Sequence, residues 1–315
     1  STTHADLHKK HDNAIGHGAH RQEDFGWVAI LKDCGKKKDL YKGTKVHAEI
    51  VSTELLEKSL YLGSALINMY AKCGAFSKAK QVLEDLPTRN SVSWNALISG
   101  YAQQGQGQEA LDCFGKMRLE GISPDVFTFT SILKACGSIV AIEEGQIIHN
   151  EIVVRGLFKK DVVLGTALVD MYAKCGLLGK AQLVLDELPE RNVFSWSSLI
   201  VGYVQQGQGH KALNCFEQMQ SEGLIPDAVT FICVLKACGQ IGALEKGGEI
   251  HDEVLDRGML EKDIVLGNAL VDMYVKCGLL AKAQRVLQEL PVRDVVSWNT
   301  LIVAYAHLGE GREAL

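Results

Sequence analysis

Apolar residues recur along most of the chain with the period of an amphipathic helix, and short polar or glycine-rich breaks separate the apolar runs. Trp94, Leu97, Ile98 and Tyr101 stand at i, i+3, i+4 and i+7, and the Gly105–Gly107 stretch ends that element. Ala110, Leu111, Phe114 and Met117 then repeat the period until Gly121 and Pro124 close a second helix. No strand-type alternation competes. A helix–turn–helix of this length cannot bury its apolar stripe alone, so it must stack on copies of itself.

The copies are present. Trp94, Trp196 and Trp298 are 102 residues apart, and the same step relates Cys73, Cys175 and Cys277, as well as Cys34, Cys136 and Cys238. Pro87, Pro189 and Pro291 form one boundary set and Pro124 with Pro226 another, so every proline punctuates the repeat instead of interrupting a helix. Each block holds three unequal hairpins of 35, 36 and 31 residues: 91–125, 126–161 and 162–192, then 193–227, 228–263 and 264–294. Residues 24–59 and 60–90 supply two members of an earlier block, and 295–315 begins a further unit, as expected of a piece of a longer array. The expected fold is an all-α solenoid with the first helices on one surface.

Composition narrows the function. The 315 residues are 47% hydrophobic and 23% charged, with no apolar run long enough to span a bilayer. A net charge of −5 excludes a protein that coats polyanions over its whole surface, so any nucleic-acid contact must be local. Nine cysteines without a secretory leader are expected as reduced thiols inside a cell. Residues 1–23 carry five of the ten histidines, His4, His8, His11, His17 and His20, and read as a mobile, solvated leader rather than a metal site.

The stretches SWNALISGYAQQGQGQEALDCFGKM, TFTSILKACG and LGTALVDMYAKCGLLGKAQLVLDELPERN resemble plant pentatricopeptide repeat proteins of the PLS subclass, in which motifs called P, L and S alternate with these three lengths. The resemblance assigns 24–59, 126–161 and 228–263 as L, 60–90, 162–192 and 264–294 as S, 91–125 and 193–227 as P, and 295–315 as a partial P repeat. It implies a right-handed superhelix that binds single-stranded RNA, one base per repeat.

Two positions three apart on a first helix share a face. Position 2 is Tyr61, Val92, Phe127, Val163, Phe194, Val229, Val265 and Val296, always apolar and suited to sandwiching a base. Position 5 is polar in most repeats: Ser64, Asn95, Thr130, Thr166, Ser197, Asn268 and Asn299. The last residue is Asn90, Asp125, Asp161, Asn192, Asp227, Asp263 or Asp294, an amide or a carboxylate that can complement a base edge. In the family's code these pairs imply A from Ser64 with Asn90, U from Asn95 with Asp125 and G from Thr130 with Asp161. They further imply A from Thr166 with Asn192, G from Ser197 with Asp227 and U from Asn268 with Asp294, so the expected RNA is x-A-U-(G)-A-G-x-U. The alkyl side chains of Val28 and Ile232 cannot read a base. Lys72, Lys174 and Lys276, near the ends of the S first helices, are the expected phosphate contacts, with Lys32, Lys134 and Lys236 of the L repeats as a second set.

Other motifs read as packing. His47, His149 and His251 each open an H-x-E triplet, half of a zinc-deaminase signature, but no C-x-x-C accompanies them. Gly105-x-Gly107-x-x-Ala110 mimics a dinucleotide fingerprint, yet it follows a helix and not a strand. With no unrepeated nucleophile, acid–base pair or ligand cluster, neither catalysis nor a cofactor is expected in these residues. The resemblance implies target recognition for organellar C-to-U editing or other RNA processing in mitochondria or chloroplasts. Editing-complex proteins are further candidate partners there, with any deaminase supplied downstream or in trans. A peptide-binding scaffold is the alternative.

Overall fold

The computed structural model describes residues 25–53, 55–158 and 160–307; the histidine-rich leader and 308–315 lie outside the described residues. Every element of the described chain is a helix. Two compact units, Ser1–Glu144 and Gly145–Leu315, divide it.

In the first unit α1 (25–37) and α2 (Leu40–Ser52) form a hairpin, followed by the short α3 (Leu55–Lys58). Then come α4 (Leu60–Lys72), α5 (Phe76–Asp85), α6 (Ser91–Gln103), α7 (Gly107–Leu119) and α8 (Val126–Ile139). The second unit holds most of α9 (Ile142–Val154), then α10 (Val162–Lys174), α11 (Leu178–Glu187), α12 (Val193–Gln205) and α13 (Gly209–Ser221). It ends with α14 (Ala228–Ile241), α15 (Leu244–Asp256), α16 (Ile264–Lys276), α17 (Leu280–Glu289) and α18 (Val295–His307). From α4 onward, the even-numbered helices begin at the first residue of a repeat or one after it.

The two helices of a hairpin differ in how they are covered. α12 buries Ser195, Trp196, Ser197, Leu199, Ile200 and Tyr203 around most of its girth, whereas α13 buries one stripe, Ala212, Cys215, Phe216 and Met219. First helices pack on first helices, α4 on α6 on α8 and α10 on α12 on α14 on α16, while second helices such as α7 and α13 pack on the first helices of their own and the following repeat. Close approach needs small residues: a Cβ on Gly202 would lie 2.6 Å from Leu178 Cδ2, and one on Gly100 would lie 2.5 Å from Ala71 Cβ.

The Gly105-x-Gly107 motif is a hairpin turn. Gly105 has φ +74°, a left-handed conformation that suits glycine, and a Cβ on Gly107 would meet Ala135 O at 2.8 Å. All nine cysteines are free, and burial raises the thiol pKa of eight of them, to about 12 for Cys215 and Cys238. Among the described residues no helix is long and apolar enough to cross a membrane.

Candidate nucleic-acid interface

Each first helix from α6 onward starts with a side-chain cap, and the capping residue is the last residue of the preceding repeat. Asn90 accepts from Ser93 N at 3.0 Å, Asp125 from Thr128 N at 2.8 Å and Asp161 from Leu164 N at 2.9 Å. Asn192, Asp227, Asp263 and Asp294 do the same for Ser195, Thr230, Leu266 and Ser297. Asn and Asp are preferred at this position because their short side-chain oxygen satisfies an amide left open by the helix. Helix capping therefore explains why only Asn or Asp occurs at these seven positions, a role that the sequence reading did not assign. It leaves open the choice between the two.

Capping also delivers the last residue to position 5 of its own repeat. Asn95 Nδ2 donates to both carboxylate oxygens of Asp125 at 3.0 Å, and Asn268 Nδ2 donates to Asp294 Oδ1 at 3.2 Å. Asn192 Nδ2 donates to Thr166 Oγ1 at 3.2 Å, while Thr166 donates its own proton to Val162 O at 2.8 Å. Ser197 reaches Asp227 through Thr230, with Ser197 Oγ 2.6 Å from Thr230 Oγ1, which donates to Asp227 Oδ1 at 2.7 Å. The Ser297 amide and hydroxyl hold the Asp294 carboxyl below its ordinary pKa. The two residues predicted to act together are thus in one hydrogen-bonded group in four repeats.

On either side of these groups stand the position-2 residues. All eight are exposed, from Tyr61 at 78% to Val92 and Val229 at 54%, although each lies next to buried core. Exposed alkyl and aromatic groups at a fixed spacing are unusual for a surface that serves only solvation. Phe194 and Val229, with Ser197, Asp227 and Lys174, line a cleft of about 260 Å³. Phe25, 73% exposed at position 2 of repeat 24–59, belongs to the same series and was missed, although its register in the sequence marks it.

The lysines divide differently from expectation. Lys174 and Lys276 sit in the last turns of α10 and α16, but each is paired with the carboxylate four residues earlier, Asp170 at 2.6 Å and Asp272 at 2.7 Å. Lys72 has Asn68 at that place, so it lacks this i, i+4 carboxylate. Lys32, Lys134 and Lys236 are exposed, and among the described residues no carboxylate pairs with them. The L set is therefore the better supply of unneutralised charge for phosphate. Thr130 donates to Val126 O at 2.8 Å, and Asn299 is exposed. Ser64 is buried near the start of α4.

The H-x-E histidines are on second helices, bonded to tyrosines. Nδ1 of His47, His149 and His251 is 2.9, 2.8 and 3.0 Å from the hydroxyls of Tyr70, Tyr172 and Tyr274. Burial lowers all three imidazole pKa values and pushes the Tyr70 hydroxyl up to about 12. Among the described residues no cluster of His, Cys, Asp and Glu could hold a metal ion.

A family profile described as "PPR repeat family" matches residues 89–138 and 191–240, and one described as "PPR repeat" matches 64–91, 166–193, 268–295 and 296–315. An Arabidopsis thaliana pentatricopeptide repeat-containing protein named as mitochondrial is 38% identical over 290 residues, covering 92% of this chain and 46% of its own. Another from the same plant, named as chloroplastic, is 35% identical over 304 residues, covering 96% of this chain and 49% of its own. This chain thus spans about half the length of the curated relatives it matches. Among solved structures, that of the pentatricopeptide repeat protein PPR10 in complex with an 18-nucleotide psaJ RNA element aligns with a TM-score of 0.73. That alignment covers 91% of this chain and 44% of the other at 22% identity, a likeness of fold.

Proposed function

The chain belongs to the pentatricopeptide repeat family, and from that premise we propose that its repeats bind single-stranded RNA in a sequence-specific manner, one base per repeat. The observation that carries this reading is the joining of position 5 to the last residue by hydrogen bonds between two exposed apolar side chains. Asn95 with Asp125 lies between Val92 and Phe127, and Ser197 with Asp227 lies between Phe194 and Val229. A flat apolar gap with a polar floor suits a nucleobase: stacking supplies affinity, and the edge supplies identity.

On this reading the pairs give A at 60–90, U at 91–125, A at 162–192, G at 193–227 and U at 264–294. Thr130 with Asp161 favours G, and repeats 24–59 and 228–263 accept any base. The alternation of 35-, 36- and 31-residue repeats supports the PLS assignment, and with it a role in target recognition for organellar C-to-U editing. Relatives named as mitochondrial and chloroplastic support an organellar setting. The RNA of the PPR10 complex supports the ligand class.

The test is a titration at fixed salt against a single-stranded RNA carrying AUGAGNU, a scrambled RNA and the duplex form of the first. The expected result is preferential binding to the first. Equal weak binding to all three that disappears as salt rises would mean phosphate attraction alone, and would favour the peptide-scaffold alternative.

A further inference from the structure

A third residue meets the base-reading pair without reaching the surface. It is the third residue of the next repeat's first helix: Thr128 after repeat 91–125, Thr230 after 193–227 and Ser297 after 264–294. Each is fully buried at 0% exposure, and each follows an Asp cap. Thr128 Oγ1 donates toward Asn95 Oδ1 at 2.6 Å and Asp125 Oδ1 at 3.0 Å, and Ser297 Oγ toward Asn268 Oδ1 at 2.5 Å and Asp294 Oδ1 at 2.9 Å. Thr230 Oγ1 donates to Asp227 Oδ1, so the proton between it and Ser197 must come from Ser197.

The two repeats with Asn caps behave differently. Ser93 Oγ donates to Asn90 O at 2.9 Å, and Ser195 Oγ donates to Asn192 O at 2.9 Å. Both hydroxyls are directed to main chain. The difference follows from donor count. An Asp cap has only acceptors, so the hydroxyl donates into the side-chain group; an Asn cap brings its own donor, which it aims at Thr166 in repeat 162–192.

We infer that the buried hydroxyls of Thr128, Thr230 and Ser297 are positioning residues that set the hydrogen-bond polarity of the base-reading pair beside them, and so its base preference. Thr128 donating to Asn95 Oδ1 and Asp125 accepting from Nδ2 fix the amide from both ends; without the Thr128 donor, Oδ1 loses its partner and only the Asp125 carboxylate orients the amide, so its presentation of donor and acceptor to the base is less sharply set. In repeat 193–227 the chain Ser197 to Thr230 to Asp227 consumes the Ser197 proton and leaves its oxygen as an acceptor. The L repeats have no such group, because the third residue after them is Leu62, Leu164 or Leu266, each buried at 0% exposure. The inference rests on the RNA reading above and names residues outside its base-contacting pairs.

The test measures binding of the full chain to four RNAs that differ only at the base opposite repeat 91–125, with wild type, Thr128→Val and Thr128→Ser. Thr128→Val should lose about fivefold or more of the preference for U, and Thr128→Ser should retain it. Ser195→Ala removes a hydroxyl from the same capping position in an Asn-capped repeat, and should lower stability while leaving the preference for A at repeat 162–192 intact. If Thr128→Val does not fold, Ser297→Ala makes the same comparison at repeat 264–294. Unchanged base preference in the folded Thr128→Val or Ser297→Ala variant, beside a discriminating wild type, overturns the inference. A wild type that does not discriminate between bases overturns the RNA reading first, and the inference with it.

Discussion

Repeats 193–227 and 228–263 are neighbours in one unit with the same hairpin, yet they present opposite chemistry on the same face. In the first, Ser197, Thr230 and Asp227 form a continuous hydrogen-bonded chain between Phe194 and Val229. In the second, the walls Val229 and Val265 are equally exposed, but the floor has Ile232 where a polar group would stand and Leu266 where the buried hydroxyl would be. Their second helices differ as well. Glu222 at the end of the first repeat accepts from Trp196 Nε1 at 2.8 Å and pairs with Arg191 at 2.7 Å, whereas His251 in the second bonds to Tyr274 of the following repeat at 3.0 Å. There the Asp263 carboxylate, bonded to the amides of Val265 and Leu266, has no polar partner at position 5, so the walls can stack a base with little to identify it. On the proposed RNA reading, repeat 193–227 is a discriminating site and 228–263 a joint with a permissive one.

The largest expected effect comes from removing a wall shared by two discriminating sites. Phe194→Ala should weaken RNA binding about tenfold or more, because a stacking contact is worth about 1–3 kcal/mol; fluorescence anisotropy at fixed salt measures it. Next is Glu222→Ala, which removes the acceptor from the Trp196 indole and the partner from Arg191. It should lower unfolding stability by about 1–3 kcal/mol in urea denaturation.

Repeats 126–161 and 228–263 should respond to mild acid through His149 and His251. Burial lowers the pKa values of His149 and His251 below the unfolded value, so the native state favours neutral imidazoles. Lys180 and Lys282 oppose the charged form further, and Glu187, Asp252 and Glu289 offset part of the shift. Stability from these groups is fully present above about pH 6.5 and is lost as pH falls through that value toward the folded pKa. Urea midpoints should fall on acidification, and the His149→Asn, His251→Asn double variant should flatten that dependence. The smallest effect is expected for Ile232→Asn. Although it supplies the amide, Leu266 offers no hydroxyl to orient it, so base discrimination at repeat 228–263 should stay within about twofold. A strong U preference in a four-base binding comparison would show that the buried hydroxyl is dispensable, and would erase the contrast between the neighbours.

The helices were legible because their apolar period is regular, because every proline falls at a boundary and because glycines mark the turns: Pro124 and Pro226 precede α8 and α14, and Gly105 turns between α6 and α7. The division at Glu144 was not legible, since the 102-residue pattern runs through it unbroken. Position 2 could be read because an apolar residue beside a polar one at i+3 breaks the core stripe. What sequence reasoning missed was the second role of the last residue. Its signal was present, an Asn or Asp followed three residues later by Ser or Thr, as in Asn90–Ser93 and Asp125–Thr128, the pattern of a reciprocal helix cap. The pairing of Lys174 with Asp170 and Lys276 with Asp272 was also readable as an i, i+4 ion pair, and it shifts attention to Lys32, Lys134 and Lys236 for phosphate.

The central claim is that position 5 and the last residue together choose the base. The most direct measurement is a crossed titration of wild type and Asn95→Ser against two RNAs that carry U or G opposite repeat 91–125 and are otherwise identical. Wild type should prefer U and the variant G, each by about tenfold. The same preference in both proteins, or none in either across a range of salt, would contradict it.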